Sequence, residues 1–149
     1  MIRQFRSQDA SSCCELIREC VAKDSSISHG LRQKLCGSES PESMHERARL
    51  FYVTVFESEE EIEGVAGLDL NEIRLLCVRP RHQRRGTGRA LVEHLRTMVP
   101  DILFRDMFVY SSPRAVGFYR ACGFHERGQV SFNVLGEPMA TVFMSLPLV

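Results

Sequence analysis

Between Val78 and Leu95 the chain reads V-R-P-R-H-Q-R-R-G-T-G-R-A-L-V-E-H-L. The apolar run from Glu72 to Val78 ends there at Arg79-Pro80. Leu91, Val92, Leu95, Met98 and Val99 then recur at helical spacing until Pro100. The pattern predicts a strand, a loop of arginines and glycines, and a helix. A helix N-terminus presents unpaired N–H groups and the positive end of the helix dipole. Gly86 and Gly88 let a bulky anion reach that backbone, and Arg81, Arg84, Arg85 and Arg89 add positive charge. The segment reads as a phosphate cradle. It is not a P-loop, because G-x-x-x-x-G-K-[S/T] is absent. It is not a dinucleotide fingerprint, because Leu91 stands where a third glycine is needed. On the two glycines alone, a structural turn explains the segment equally well.

The remaining pattern is that of one sheet with helices packed on it. Ile2 to Arg6 reads as a short strand. After Ser7 to Asp9, Leu16, Ile17, Cys20 and Val21 recur at helical spacing. Ser25 to Gly30 reads as a loop. One or two helices are expected between Leu31 and Leu50, broken around Gly37-Ser38-Glu39-Ser40-Pro41. Phe51 to Phe56 is β-branched and aromatic, hence a strand. Glu57, Glu59, Glu60, Glu61 and Glu63 form an acidic run. Strand patterns on both sides favour a solvated hairpin turn over a site for a cationic partner. Gly64 to Leu70 and Met107 to Tyr110 are further strands. Ser112-Pro113 predicts a helix start, with a serine N-cap and proline at the first position, and Gly123 suits the helix end. Phe124 to Val134 and Met139 to Leu146 are closing strands, joined by a turn at Leu135-Gly136-Glu137-Pro138. Residues 1–149 are expected to form a single domain.

Two motifs carry a family resemblance. Gln83-Arg84-Arg85-Gly86-Thr87-Gly88 matches Q/R-x-x-G-x-G/A. Ser112-Pro113-Arg114-Ala115-Val116-Gly117-Phe118-Tyr119-Arg120-Ala121-Cys122-Gly123-Phe124 is similar to N-x-x-A-x-x-F-Y-x-x-x-G-F, with Ser112 where asparagine is frequent. In these motifs and their order the chain resembles the GNAT superfamily of acyl-CoA-dependent N-acetyltransferases. The resemblance implies an α/β (α+β) fold: a mixed, mostly antiparallel sheet with a splayed parallel strand pair and helices on both faces. It implies acetyl-CoA as co-substrate; no metal is expected, because the five histidines form no H-E-x-x-H and no paired H-x-x-x-H. The pantetheine arm is expected along the backbone of Leu76, Cys77 and Val78. The pyrophosphate is expected on the amides of Arg84, Arg85, Gly86, Thr87, Gly88, Arg89 and Ala90. Ser112, Ala115, Phe118 and Tyr119 complete the expected cofactor-binding set.

Acetyl transfer to an amine needs a deprotonated amine, a polarised thioester carbonyl and a proton for the departing thiolate. By resemblance, Tyr119 supplies that proton; a reference pKa of about 10 keeps it a donor at neutral pH. Glu72, six residues before Val78, is the expected base, directly or through water. Backbone N–H near Val78 is expected to polarise the carbonyl. The bland alternatives are a tyrosine that closes the core and a solvated carboxylate at a strand end. Asp69 is a weaker candidate base. Cys77 and Cys122 raise an acyl-cysteine route, but no histidine is obviously placed to activate either. His82 and His94 read as structural or solvent-facing. The acceptor is a primary amine of a small molecule, a protein N-terminus or a lysine. It is expected between the helices of Leu31 to Leu50 and the closing strands. The stretch from Gln83 to Leu95 locally resembles ribosomal-protein N-terminal acetyltransferases, but it lies in the cofactor loop and carries no acceptor information.

Two other functions compete. No acidic residue interrupts Ile73 to Arg89, so the arginines there raise a nucleic-acid-binding module. Against it, 19 basic residues cancel 19 acidic ones and no aromatics interleave with the patch. A non-catalytic acyl-CoA sensor of the same fold is the other alternative. The expected partners are acetyl-CoA and the amine acceptor, with no nucleic acid and no membrane; a homodimer is left open. The six cysteines form no C-x-x-C and the N-terminus has no apolar core of a secretory signal. Reduced thiols and a cytoplasmic location are therefore expected.

Overall fold

The computed structural model describes residues 1–59 and 61–148. In chain order its elements are β1 (Ile2–Gln4), α1 (Ala10–Ala22), α2 (His29–Ser38), α3 (Pro41–Leu50), β2 (Tyr52–Ser58), β3 (Glu61–Asp69), β4 (Glu72–Val78), α4 (Thr87–Met98), β5 (Asp106–Ser111), α5 (Val116–Ala121), β6 (His125–Val134) and β7 (Glu137–Pro147). Local chemistry sets several boundaries. The expected loop up to Gly30 is shorter, because Ser28 caps α2 by accepting a hydrogen bond from Leu31 N–H at 3.3 Å. The expected break at Gly37–Pro41 separates α2 from α3. Ser40 and Ser43 form a reciprocal cap there, and Pro41 occupies the first turn. The last hairpin turns through Leu135 and Gly136 alone, at φ of 52° and 81°. Left-handed residues suit a two-residue hairpin, so Glu137 and Pro138 join β7 rather than the turn.

The strands form one sheet in the order β1-β2-β3-β4-β5-β7-β6. Every pairing is antiparallel except β4 with β5. Alternation along the strands sends side chains to two cores. On one face Leu91, Val92 and Leu95 of α4 pack with Met107, Tyr119, Phe124 and Met144. On the other, Cys13, Leu16 and Ile17 of α1 and Met44 of α3 pack on Val53, Val55 and Val65. Helices thus cover both faces.

Two irregularities shape the functional end. The parallel β4–β5 ladder holds only Glu72↔Phe108 and Ile73↔Val109. Beyond those pairs β4 stays on β3 and β5 stays on β7, so the two strands part. In addition, β3 carries a bulge: Phe56 pairs with Gly64 and Glu57 with Ile62, which leaves Glu63 without a partner on β2. A bulge re-aims side chains locally.

Candidate active site

A cleft of about 670 Å³ lies where β4 and β5 part, within the usual range for small-molecule sites. Leu76, Cys77 and Val78 form its β4 wall. Ser112, Ala115, Phe118 and Tyr119 form the opposite wall, and Arg84, Gly86, Gly88 and Arg89 form its mouth. Eleven of the residues singled out by the sequence therefore meet in one place.

The mouth is a backbone cradle. Arg84 and Gly86 take left-handed φ values of 65° and 86°, the kind of backbone from which anion-binding nests are built. Among the described residues, the N–H groups of Arg84 to Arg89 donate to no backbone acceptor. Ala90 N–H donates to Gly86 O at 2.9 Å. Its amide is used within α4, which removes Ala90 from the expected phosphate-binding set. A Cβ at Gly88 would lie 3.0 Å from the Phe118 ring, so any larger residue there would crowd the α5 side of the cleft. The side chains of Arg85 and Thr87 leave the cleft. Arg85 Nη1 lies 3.1 Å from His82 Nδ1, and Thr87 is buried. Only their backbone remains available.

The acidic run does two jobs: Glu59 is exposed at the expected hairpin turn, while Glu61 and Glu63 support this loop. Glu63, re-aimed by the bulge, is buried, and its Oε1 lies 2.8 Å from His82 Nδ1 and 3.7 Å from Arg85 Nη1. Glu61 approaches the other ring nitrogen at 3.0 Å and also pairs with Arg81. Arg79 N–H donates to Glu63 O at 2.7 Å, while Arg79 Nη1 reaches Glu19 of α1 at 2.8 Å. Glu60 lies outside the described residues. These pairs also answer the arginine-patch reading, because Arg79, Arg81 and Arg85 are each matched to a carboxylate. His82 is half-buried structure, and His94 accepts or donates one hydrogen bond with the Tyr52 hydroxyl at 2.8 Å.

Tyr119 is buried at the cleft wall, and burial first, then the neighbouring Cys77 and Cys122 thiols, push its hydroxyl well above the ordinary tyrosine range. It holds its proton at neutral pH. Cys77 is pushed up by its contact with the Cys20 thiol and by burial, and Cys122 by burial. Neither is an activated thiolate. Glu72 does not line the cleft; it sits at the vertex where β4 and β5 still pair. Burial raises its carboxyl, and Arg74 at 3.9 Å partly opposes the shift. The expected serine cap fails: Ser112 makes no side-chain cap bond. A 3-10 turn over Pro113–Ala115 leads into a short α5 instead of one continuous helix.

The sequence missed the α1 side of the cleft. Cys20, Val21, Asp24 and Ile27 line it, together with Gln83 and Arg114. Gln83 Nε2 and Cys20 Sγ both donate to Val78 O, at 3.0 and 3.1 Å. That carbonyl already has two donors, so Val78 offers an incoming chain little as an acceptor.

Residues 28–140, about three quarters of the chain, match the family model described as an acetyltransferase (GNAT) domain. The chain belongs to the GNAT acetyltransferase family. No curated protein matches it in sequence. Solved structures match its fold across nearly the whole length. A GCN5-related N-acetyltransferase from Rhodopseudomonas palustris superposes with a TM-score of 0.90 at 16% identity, covering 99% of this chain and 94% of that one. A ribosomal-protein-alanine N-acetyltransferase from Brucella melitensis gives 0.75 at 20%, covering 99% of each. The protein yncA from Salmonella typhimurium, solved with its cofactor acetyl-CoA, gives 0.75 at 20%, covering 100% and 94%. The GNAT fold explains the parted strand pair as a family architecture. Among the described residues of this GNAT domain, no group of three His, Cys, Asp or Glu is placed to hold a metal ion, and no helix is long and apolar enough to cross a membrane.

Proposed function

We propose that this GNAT domain transfers an acetyl group from acetyl-CoA to a primary amine by direct attack in a ternary complex. The observation that carries the reading is the parting of β4 and β5 beside six consecutive amides without backbone partners. The slot suits an extended pantetheine arm, and the amides suit a pyrophosphate. The acetyl-CoA held by the Salmonella relative supports the same choice of co-substrate. The thioester of acetyl-CoA supplies the activated acetyl group.

In this reading the amides of Arg84 to Arg89 bind the pyrophosphate, with Arg84 and Arg89 adding charge at the mouth. Leu76 and Cys77 line the arm. Tyr119, which keeps its proton, donates to the sulfur as the thiolate develops. Glu72 takes the proton of the amine, directly or through water. Its raised carboxyl makes it a stronger base than an exposed glutamate. The raised Cys77 and Cys122 thiols favour direct attack over an acyl-cysteine. Six free cysteines support a reducing, cytoplasmic setting.

The test is CoA-thiol release from acetyl-CoA, with and without a panel of primary amines, beside acetyl-CoA binding measured by calorimetry. The reading expects binding and amine-dependent release. Binding without release from any amine would instead favour the acyl-CoA sensor. Absence of binding would remove both.

A further inference from the structure

Four aromatic rings form a shelf on the sheet face opposite α4. Phe108 and Tyr110 alternate along β5 with the buried Met107 and Val109, so they point away from the α4 core. Phe143 pairs with Tyr110 across β5–β7, and Phe132 continues the row on β6. Ring centroids are 5.8 Å apart for Phe108–Tyr110, 5.6 Å for Phe108–Phe143, 5.3 Å for Tyr110–Phe143 and 4.9 Å for Tyr110–Phe132. Tyr110 is 37% and Phe132 39% exposed, although each presents a large apolar ring. Structural aromatics of this size normally bury against a core.

The shelf is bounded, and one end lies at the carboxylate that the proposed mechanism uses as base. At one end Phe108 is the ladder partner of Glu72, so carboxylate and ring stand side by side at the vertex of the parted strands. Asp69 adds a second carboxylate, and Arg74, 3.3 Å from Asp69 and 3.9 Å from Glu72, compensates for one of the two. Asp106, two residues before Phe108 on β5, adds a third carboxylate to this face, and Arg127, whose Nε donates to Ser145 Oγ at 2.8 Å opposite Phe108 on β7, adds a second guanidinium, so about one negative charge remains. At the other end α2 reaches the β6–β7 turn, where Lys34 Nζ lies 3.3 Å from Glu137 and 3.2 Å from Leu135 O. A net charge of about one next to ring faces matches one ammonium group attached to a flat apolar body. A polyamine or an aminoglycoside would need several carboxylates along the row, and rings stand there instead.

We infer that the acceptor is a small monoamine with an aryl body, its amine at Glu72 and its ring on Phe108, Tyr110, Phe143 and Phe132. The inference rests on the acetyltransferase reading and names its substrate class. The experiment compares 2-phenylethylamine, ethanolamine and spermidine as acceptors in the thiol-release assay. It adds calorimetry of 2-phenylethylamine with the CoA-loaded chain, and sedimentation of the free chain. The expected result is a kcat/KM at least tenfold higher for 2-phenylethylamine than for ethanolamine or spermidine. Tyr110→Ala and Phe132→Ser should each raise its KM roughly tenfold, with the KM for acetyl-CoA unchanged. Transfer to ethanolamine or spermidine with no preference for the aryl amine would overturn the inference and leave the transferase reading intact. Calorimetric binding of 2-phenylethylamine, lost in Tyr110→Ala, without any acetylation would uphold the site and overturn the transferase reading. A dimer broken by Phe132→Ser, with unchanged KM for the aryl amine, would assign the shelf to a second copy of the chain and overturn the inference.

Discussion

The proposed mechanism assigns its proton transfers to Tyr119 and Glu72, and their environments push both toward the protonated form for the same reason. Each is partly or wholly withdrawn from water, which disfavours its charged state. Tyr119→Phe removes one oxygen and little packing area. It should lower kcat by roughly 10²–10⁴-fold while calorimetric acetyl-CoA affinity stays at the wild-type value. An unchanged kcat, with chemistry rate-limiting, would make Tyr119 a packing residue. For Glu72 the sign follows from its raised carboxyl. The base is active only when ionised, so the rate should rise with pH along a limb lying above the ordinary glutamate range. Glu72→Gln should abolish that limb and leave CoA affinity nearly intact. The same shift means that the folded state holds this proton more tightly than the unfolded chain does. Its contribution to stability is present below the ordinary glutamate pKa and is lost as pH rises through the raised value. At pH 7 the Gln variant should therefore melt no lower than wild type, which separates a lost base from a damaged fold.

At the scale of elements, the phosphate loop depends on a neighbour that no local motif reveals. The bulge in β3 turns Glu63 under the loop, where it meets His82 and Arg85, while Arg79 ties the loop to Glu19 of α1. A buried carboxylate that loses a hydrogen-bonding partner is costly. His82→Ala should thus loosen the loop, weakening CoA affinity several-fold and lowering the melting temperature. Glu63→Gln, which keeps shape and one acceptor, should have the smaller effect on both. Calorimetry and a melting curve on each variant check the order. Equal CoA affinity in wild type and His82→Ala would show that the loop holds its shape without the Glu63–His82 pair. The hairpin expectation holds for the turn and for the exposed Glu59, and fails for Glu61 and Glu63. Two glutamates of the run face the loop, and period-two alternation cannot report a residue displaced by a bulge.

Over the whole molecule, what was legible in the sequence was what is local. The strand–loop–helix from Glu72 to Met98 carries its own periodicity, glycines and stop, so its geometry and cleft mouth could be read directly. Cys20, Asp24 and Ile27 were not legible as cleft residues, because α1 and the turn after it reach β4 only through tertiary packing. The ring shelf was equally hidden, since its members come from three strands whose register is set by hairpins and pairing far apart in sequence. The cysteines illustrate the same point from the other side: all six are free, and burial pushes Cys13 up to about 12. Denaturation of reduced protein without added reductant should expose six reactive thiols to a labelling reagent, and a mass two labels short would reveal a disulfide. The most direct test of the central claim, that the parted strands and the Gly86-led amides bind acetyl-CoA, is a calorimetric titration of acetyl-CoA into wild type, Gly86→Asn and Gly86→Asp. Asn and Asp are similar in shape and both tolerate the left-handed backbone better than most residues, so the pair isolates charge in the cradle. Binding should persist, weakened, in Gly86→Asn and be lost in a folded Gly86→Asp; equal affinity in all three folded proteins would contradict the assignment.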